Sequence, residues 1–111
     1  MPLGGFWTAE FGSSVGVFGG GVVYFQDGKI TGGDSSYLYL GEYTEGGEGR
    51  FKATIEVSPF IQGVPSVFNT VGQKFTLELE GTQETHDRLV AQGQRRDMPG
   101  VTFGAKLTKR G

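Results

Sequence analysis

Few side chains in this chain are of a type and spacing that could do chemistry. His86 is the sole histidine and there is no cysteine, so thiolate chemistry, disulfides and cysteine-bound metal are excluded. His86 stands among Thr82, Gln83, Glu84, Thr85 and Asp87. That is the composition of a solvated turn, not of a pocket that would tune a general base. A transition-metal site would need carboxylates for the rest of its ligands, and no Asp/Glu cluster has suitable spacing. Glu78 and Glu80 are two apart, which places both on the outer, solvated face of one strand. No Gly-x-Ser-x-Gly marks a nucleophile elbow. Gly19-Gly20-Gly21 lacks the Lys-Ser or Lys-Thr and the following helix that a phosphate loop requires. These residues predict no catalytic site, no metal, no cofactor and no enzymatic activity.

What must position everything else is a series of strands. Asp27-Gly28, between Val22-Val23-Tyr24-Phe25 and Lys29-Ile30-Thr31, is the strongest short-range hairpin signal, because a type I′ turn needs positive φ at both central residues. Gly32-Gly33-Asp34-Ser35-Ser36 turns the chain again. Its Gly-Gly-Asp superficially matches the signature of cyclic-dinucleotide synthases, but those need a larger α/β domain and a further acid where Ser35-Ser36 stand. A turn is the simpler reading. Tyr37, Tyr39, Gly41 and Tyr43 then alternate with Leu38, Leu40 and Glu42. Further period-two stretches run over 5–11, 51–58, 74–80, 87–92 and 101–107. A longer one over 15–26 is interrupted at Gly19-Gly20-Gly21, which we read as a bulge or corner. The sum is an all-β, eight-stranded antiparallel meander barrel of one domain over residues 1–111, with at most one short helix. The 21 glycines among 111 residues suit its turns and bends.

One connection is long. Residues 59–72 carry Phe60, Ile61, Val64, Val67, Phe68 and Val71. So apolar a loop must be covered, and we expect Phe60, Ile61, Val67 and Phe68 to fold over or into the barrel, with Pro65 able to open one helical turn. The alternative is that they form a dimer face.

The Asp27-Gly28-Lys29-Ile30 hairpin, Gly32-Gly33-Asp34, the aromatic strand and Gly41-x-Tyr43 resemble the GrlR family, first recognised as negative regulators of type III secretion gene expression. Val64-Pro65-Ser66-Val67-Phe68-Asn69 is similar to that family's Pro-Ser-Val stretch between its middle strands. The resemblance implies a lipocalin-like eight-stranded barrel, usually a homodimer, without a catalytic site and with a regulatory protein as partner. The family's secretion regulator has four consecutive acids in the hairpin after the aromatic strand. Here Glu45-Gly46-Gly47-Glu48 keeps half that charge, which marks Glu45 and Glu48 as the corresponding partner-binding loop. Gly5-Phe6-Trp7 also fits the Gly-x-Trp of lipocalin first strands, where the indole closes one barrel end; plain core packing of Trp7 is the other reading.

Ten basic and twelve acidic residues leave a formal charge of −2 with no like-charge block, so direct nucleic-acid or anionic-membrane binding is not expected. The start lacks a signal-peptide pattern and no segment approaches a membrane span; a cytoplasmic location follows as an expectation. Eight strands could also enclose one small apolar ligand, the competing reading of function. Either face of the 37–43 strand is apolar enough to seek a partner, which with the resemblance predicts a homodimer.

Overall fold

The computed structural model describes residues 3–111. Eight strands fall where alternation predicts them: β1 (Gly5–Ser13), β2 (Phe18–Gln26), β3 (Lys29–Gly33), β4 (Tyr37–Glu45), β5 (Arg50–Pro59), β6 (Phe75–Thr85), β7 (Arg88–Arg95) and β8 (Thr102–Lys109). Each pairs antiparallel with the next, and β8 returns to β1 to close the barrel. Closure leaves no whole strand at an edge, although the 18–21 part of β2 runs past the end of β3 and pairs with β1 alone. No helix occurs among the described residues. Asp27 and Gly28 have φ of 52° and 80°, the paired positive values a type I′ hairpin demands.

Period-two alternation decides what is inside. On β5, Phe51, Ala53, Ile55 and Val57 are buried between exposed Arg50, Lys52, Thr54 and Glu56. On β4 the three tyrosines point inward and Leu38 and Leu40 point out, which settles the question that the sequence left open for this strand. Tyr37 and Tyr39 can be interior because their hydroxyls find acceptors there, in the Val64 carbonyl and the Asp34 carboxylate. Burying a hydroxyl without one would be costly.

Three local expectations are corrected. The Gly19–Gly21 run is not a bulge, because the β1–β2 register runs unbroken from Gly5↔Phe25 to Gly12↔Phe18; it lies where β2 leaves β3, whose pairing covers only Val22 to Gln26. Its glycines make room for rings instead: a Cβ on Gly19 would lie 2.8 Å from the Phe11 ring, and one on Gly21 2.7 Å from the Tyr39 hydroxyl. The irregularity that does occur is a register shift between Gln83 and Thr85, opposite β7. The strand containing Glu78 and Glu80 continues to Thr85, through most of the stretch before His86 whose composition reads as a solvated turn. Finally, Pro65 opens no helical turn; it makes an isolated antiparallel bridge with Val71, and Ser66 accepts from the Asn69 amide within that bend.

β6 and β7 approach so closely at Gly93 that an added Cβ would overlap the Glu78 carbonyl and lie 3.0 Å from Leu79 Cα. Both obstacles are backbone and cannot rotate away. Gly93→Ala is therefore expected to lower the thermal midpoint by the equivalent of about 1–3 kcal/mol, in the range of overpacking changes. Gly100→Ala, where nothing lies within 4 Å, should leave the melt unchanged.

Candidate functional site

The structure separates the sequence candidates into an interior and an exterior set. Asp34 belongs inside, as the turn residue that aligns β4. Its Oδ1 accepts from the Ser36 and Tyr37 amides, both at 2.8 Å, and its Oδ2 accepts from the Tyr39 hydroxyl. Gly32 and Gly33 bring β3 up to it, with Gly32 so tight against the Val22 carbonyl that no side chain fits. Burial and the neighbouring carboxylate push the Tyr39 phenol well above the ordinary tyrosine range, and burial followed by the same carboxylate raises Tyr37. A folded-state pKa raised above the unfolded one leaves stability intact below about pH 10 and removes it as pH climbs further. The barrel is thus expected to hold a constant thermal midpoint from neutral pH to about pH 9 and to lose stability steeply beyond 10, a loss that Tyr39→Phe should diminish.

Trp7 is fully buried beside Phe25. Its indole N–H donates to the Leu3 carbonyl at 2.9 Å, and Lys109 Nζ stands 6.0 Å from the ring. Leu3 is also buried, so Leu3 and Trp7 belong to the hydrophobic core of the barrel.

The long loop divides where the sequence shows one apolar run. Phe68 is 2% exposed, stacked on Phe103 and edge-on to Phe75, and Val67 packs against the core. Phe60 and Ile61, by contrast, are 50% and 45% exposed, and Pro65 is exposed. The plug expectation therefore holds for Val67 and Phe68 and fails for Phe60 and Ile61. The cause is backbone pairing: the Phe60 amide donates to the Ser36 carbonyl, which prolongs the β4–β5 ladder and carries Phe60 along the outside. Ser66 gathers the bend by bonding Thr70 Oγ1 and the Phe68 amide. Tyr37 donates to the Val64 carbonyl at 2.7 Å and Ser13 to the Val67 carbonyl at 2.6 Å.

The residue that sequence reasoning missed is Arg95. It is 3% exposed and ties the loop to the barrel. Its guanidinium donates to Asp97 Oδ1 and Oδ2, to Thr70 Oγ1 at 2.9 Å and to Gln73 Oε1 at 2.7 Å. It lies 4.5 Å from the Phe75 ring centroid and 5.9 Å from that of Phe68. Period-two extension of the inward row Leu89, Ala91 and Gly93 reaches it, and that was the available signal.

Outside, register places apolar side chains in two neighbouring rows. Phe6 pairs with Tyr24, Tyr24 with Thr31 and Thr31 with Leu40; alongside, Thr8 pairs with Val22, Val22 with Gly33 and Gly33 with Leu38. Leu40, Leu38, Phe6, Tyr24 and Val22 are 54%, 47%, 42%, 40% and 38% exposed. On these strands the outward charges, Glu10 and the Lys29–Glu42 pair, border the rows, whereas the outer faces of β5, β6 and β8 carry exposed Lys52, Glu56, Glu78, Glu80 and Lys106. Glu45 and Glu48 lie away from the stripe on the exposed β4–β5 hairpin, where Glu48 accepts from Arg50 at 3.3 Å. Asp27 and Gly28 form the β2–β3 turn and touch none of these sites. His86 is exposed, offering its carbonyl to Gln83 Nε2. Among the described residues no three His, Asp or Glu side chains gather as a metal set.

These features define a small closed antiparallel barrel with a loop-plugged interior and an apolar stripe on one outer face. A solved structure, a redesigned β-barrel, is similar over 98% of this chain and 92% of its own, with 15% identity and a TM-score of 0.54. That likeness extends to the fold alone. No family model and no curated protein matches the chain.

Proposed function

We propose that this barrel is a non-enzymatic regulatory protein that works through protein contacts in the cytoplasm, in the manner that its resemblance to the GrlR family implies. The observation that carries the reading is the two-row apolar stripe across β1–β4. Five half-exposed large apolar residues in register, with only Thr and Gly among them, form a patch that a monomer would leave wet. A two-fold interface brings the same patch of two copies together. The stripe itself carries no charge, and the Lys29 and Glu42 at its border neutralise each other, so two copies meet with little like-charge repulsion and the occupant is a second copy of this chain.

Sedimentation should give a dimer at micromolar concentration. Leu38→Glu with Leu40→Glu, both outward and therefore compatible with the barrel, should give a monomer with unchanged circular dichroism. A monomeric wild-type chain would overturn the reading. The partner loop is tested separately. Glu45→Ala with Glu48→Ala should weaken capture of a basic regulatory partner at low salt and leave the dimer intact. The effect should be small because Arg50 already offsets Glu48.

A further inference from the structure

The barrel interior is not filled, and what lines the gap restricts what could occupy it. A partly open cavity of about 80 Å³ remains beneath the loop. Alanines from four strands, Ala9, Ala53, Ala91 and Ala105, face it. Phe11, Leu79 and Ala105 point inward by register and line the cavity yet are only half-buried, which is what residues bordering unfilled space show. The wall is almost wholly apolar, and its polar side chains are Asp34, Tyr37, Tyr39 and Ser66.

Their hydrogen bonds sort possible ligands. Tyr37 has given its proton to the Val64 carbonyl and Tyr39 has given its proton to Asp34. Ser66 is engaged with Thr70 and the Phe68 amide. A ligand that only accepts hydrogen bonds would find both tyrosine protons already committed and would lose its water with little replacement. Asp34 is different. A carboxylate offers about four lone-pair sites, and three are used, two on Oδ1 and one on Oδ2. One acceptor site on Oδ2 is left at the cavity wall. We propose that the lumen is a binding site for a compact apolar molecule carrying a single N–H or O–H group, whose hydrocarbon part lies against the alanines and whose donor bonds Asp34. An apolar cavity of roughly 150 Å³ holds benzene. This one is smaller but open, so a one-ring molecule requires only the half-buried Phe11 ring and Val67 to give way. The site is internal and independent of the outer stripe, so neither proposal stands or falls with the other.

The test uses phenol and toluene as probes, one with a donor and one without, on the full chain with ¹³C-labelled alanine methyls. Both are expected to shift Ala9, Ala91 and Ala105 saturably in the wild type. Asp34→Asn keeps the Oδ1 acceptor for the turn but replaces Oδ2 by a donor. It should weaken phenol at least about tenfold, the loss of one hydrogen bond to a charged group, and leave toluene unchanged, so the partition difference between the probes cancels. Ala91→Leu, or the smaller filling change Ala105→Val where the first does not fold, should abolish both. Unmoved lumen methyls at millimolar probe overturn the proposal. So does an equal effect of Asp34→Asn on both probes, or binding that survives the filled lumen.

Discussion

Phe68→Ala should be the most destabilising truncation in the loop, lowering stability by about 3–5 kcal/mol. The ring is 2% exposed, stacked on Phe103 and edge-on to Phe75, so its removal forfeits both burial and aromatic contact. The loop cannot collapse easily into the space. Ser13, Tyr37 and Arg95 hold its carbonyls and Thr70 from three different strands, and the hole would adjoin the cavity of about 80 Å³ already present. Poor relaxation puts the cost toward the upper end of the range. A domain with an ordinary stability of roughly 5–15 kcal/mol would then be marginal at physiological temperature. Phe60→Ala and Ile61→Ala, at half-exposed positions, should each cost under about 1 kcal/mol. Thermal melts of the three variants check the contrast. The dimer should persist in Phe68→Ala wherever it remains folded, because Phe68 does not reach the outer face. A melt within about 1 kcal/mol of wild type would mean that the loop is not a plug.

That contrast also shows where the sequence stops being readable. Strand existence was legible because alternation records which side of a sheet is dry, and β5 shows the pattern without exception. Alternation alone did not say which face of β4 is dry, since tyrosine and leucine both suit a core. The answer depended on Asp34 and Val64, the acceptors that make inward tyrosines tolerable. Phe60 and Phe68 were equivalent as letters in an apolar loop. They are distinguished by backbone bonds: the Phe60 amide continues a ladder, whereas Asn69 takes a φ of 60° and turns Phe68 inward. The glycine run of β2 was misread because the rings that need its space, Phe11 and Tyr39, come from other strands. The outer stripe could not be seen until register was known, since Phe6, Tyr24 and Leu40 are 18 and 16 positions apart. Arg95 was hidden by its neighbours, Arg96 and Asp97, which made the segment look like a solvated turn.

Arg95→Ala is the second change with a large expected effect, and its size is a contest between opposed contributions. Burying a guanidinium costs several kcal/mol of lost hydration, which truncation would recover. Against this stand hydrogen bonds to three side chains and contacts with two rings. Bonds involving a charged group contribute about 1.5–3 kcal/mol each, and a desolvated cation over a ring up to ~2. Truncation also leaves a cavity beside the Phe68 and Phe75 rings. The balance favours the arginine, and a loss of roughly 2–4 kcal/mol is expected. Arg95→Met separates the contributions, since it refills the space beside the rings but ends every bond to the loop. Gln73 and Asp97 are exposed and can rehydrate, so little buried polarity is stranded and Met should recover about half of the loss. What Met cannot recover is the tether. Amide exchange at Phe68 and Thr70 should quicken in Arg95→Met even where the melt is close to wild type. Arginine stays protonated throughout the accessible range, so the only titration in the latch is that of Asp97, whose pKa the Arg95 bonds lower. A lowered folded-state pKa contributes stability above the unfolded value of about 3.9 and loses it as pH falls through the folded value. The tether is therefore expected to be unchanged from pH 5 to 9 and to loosen only below about 4, and loop exchange rates that varied with pH near neutrality, after correction for intrinsic exchange, would contradict this account of what holds the plug.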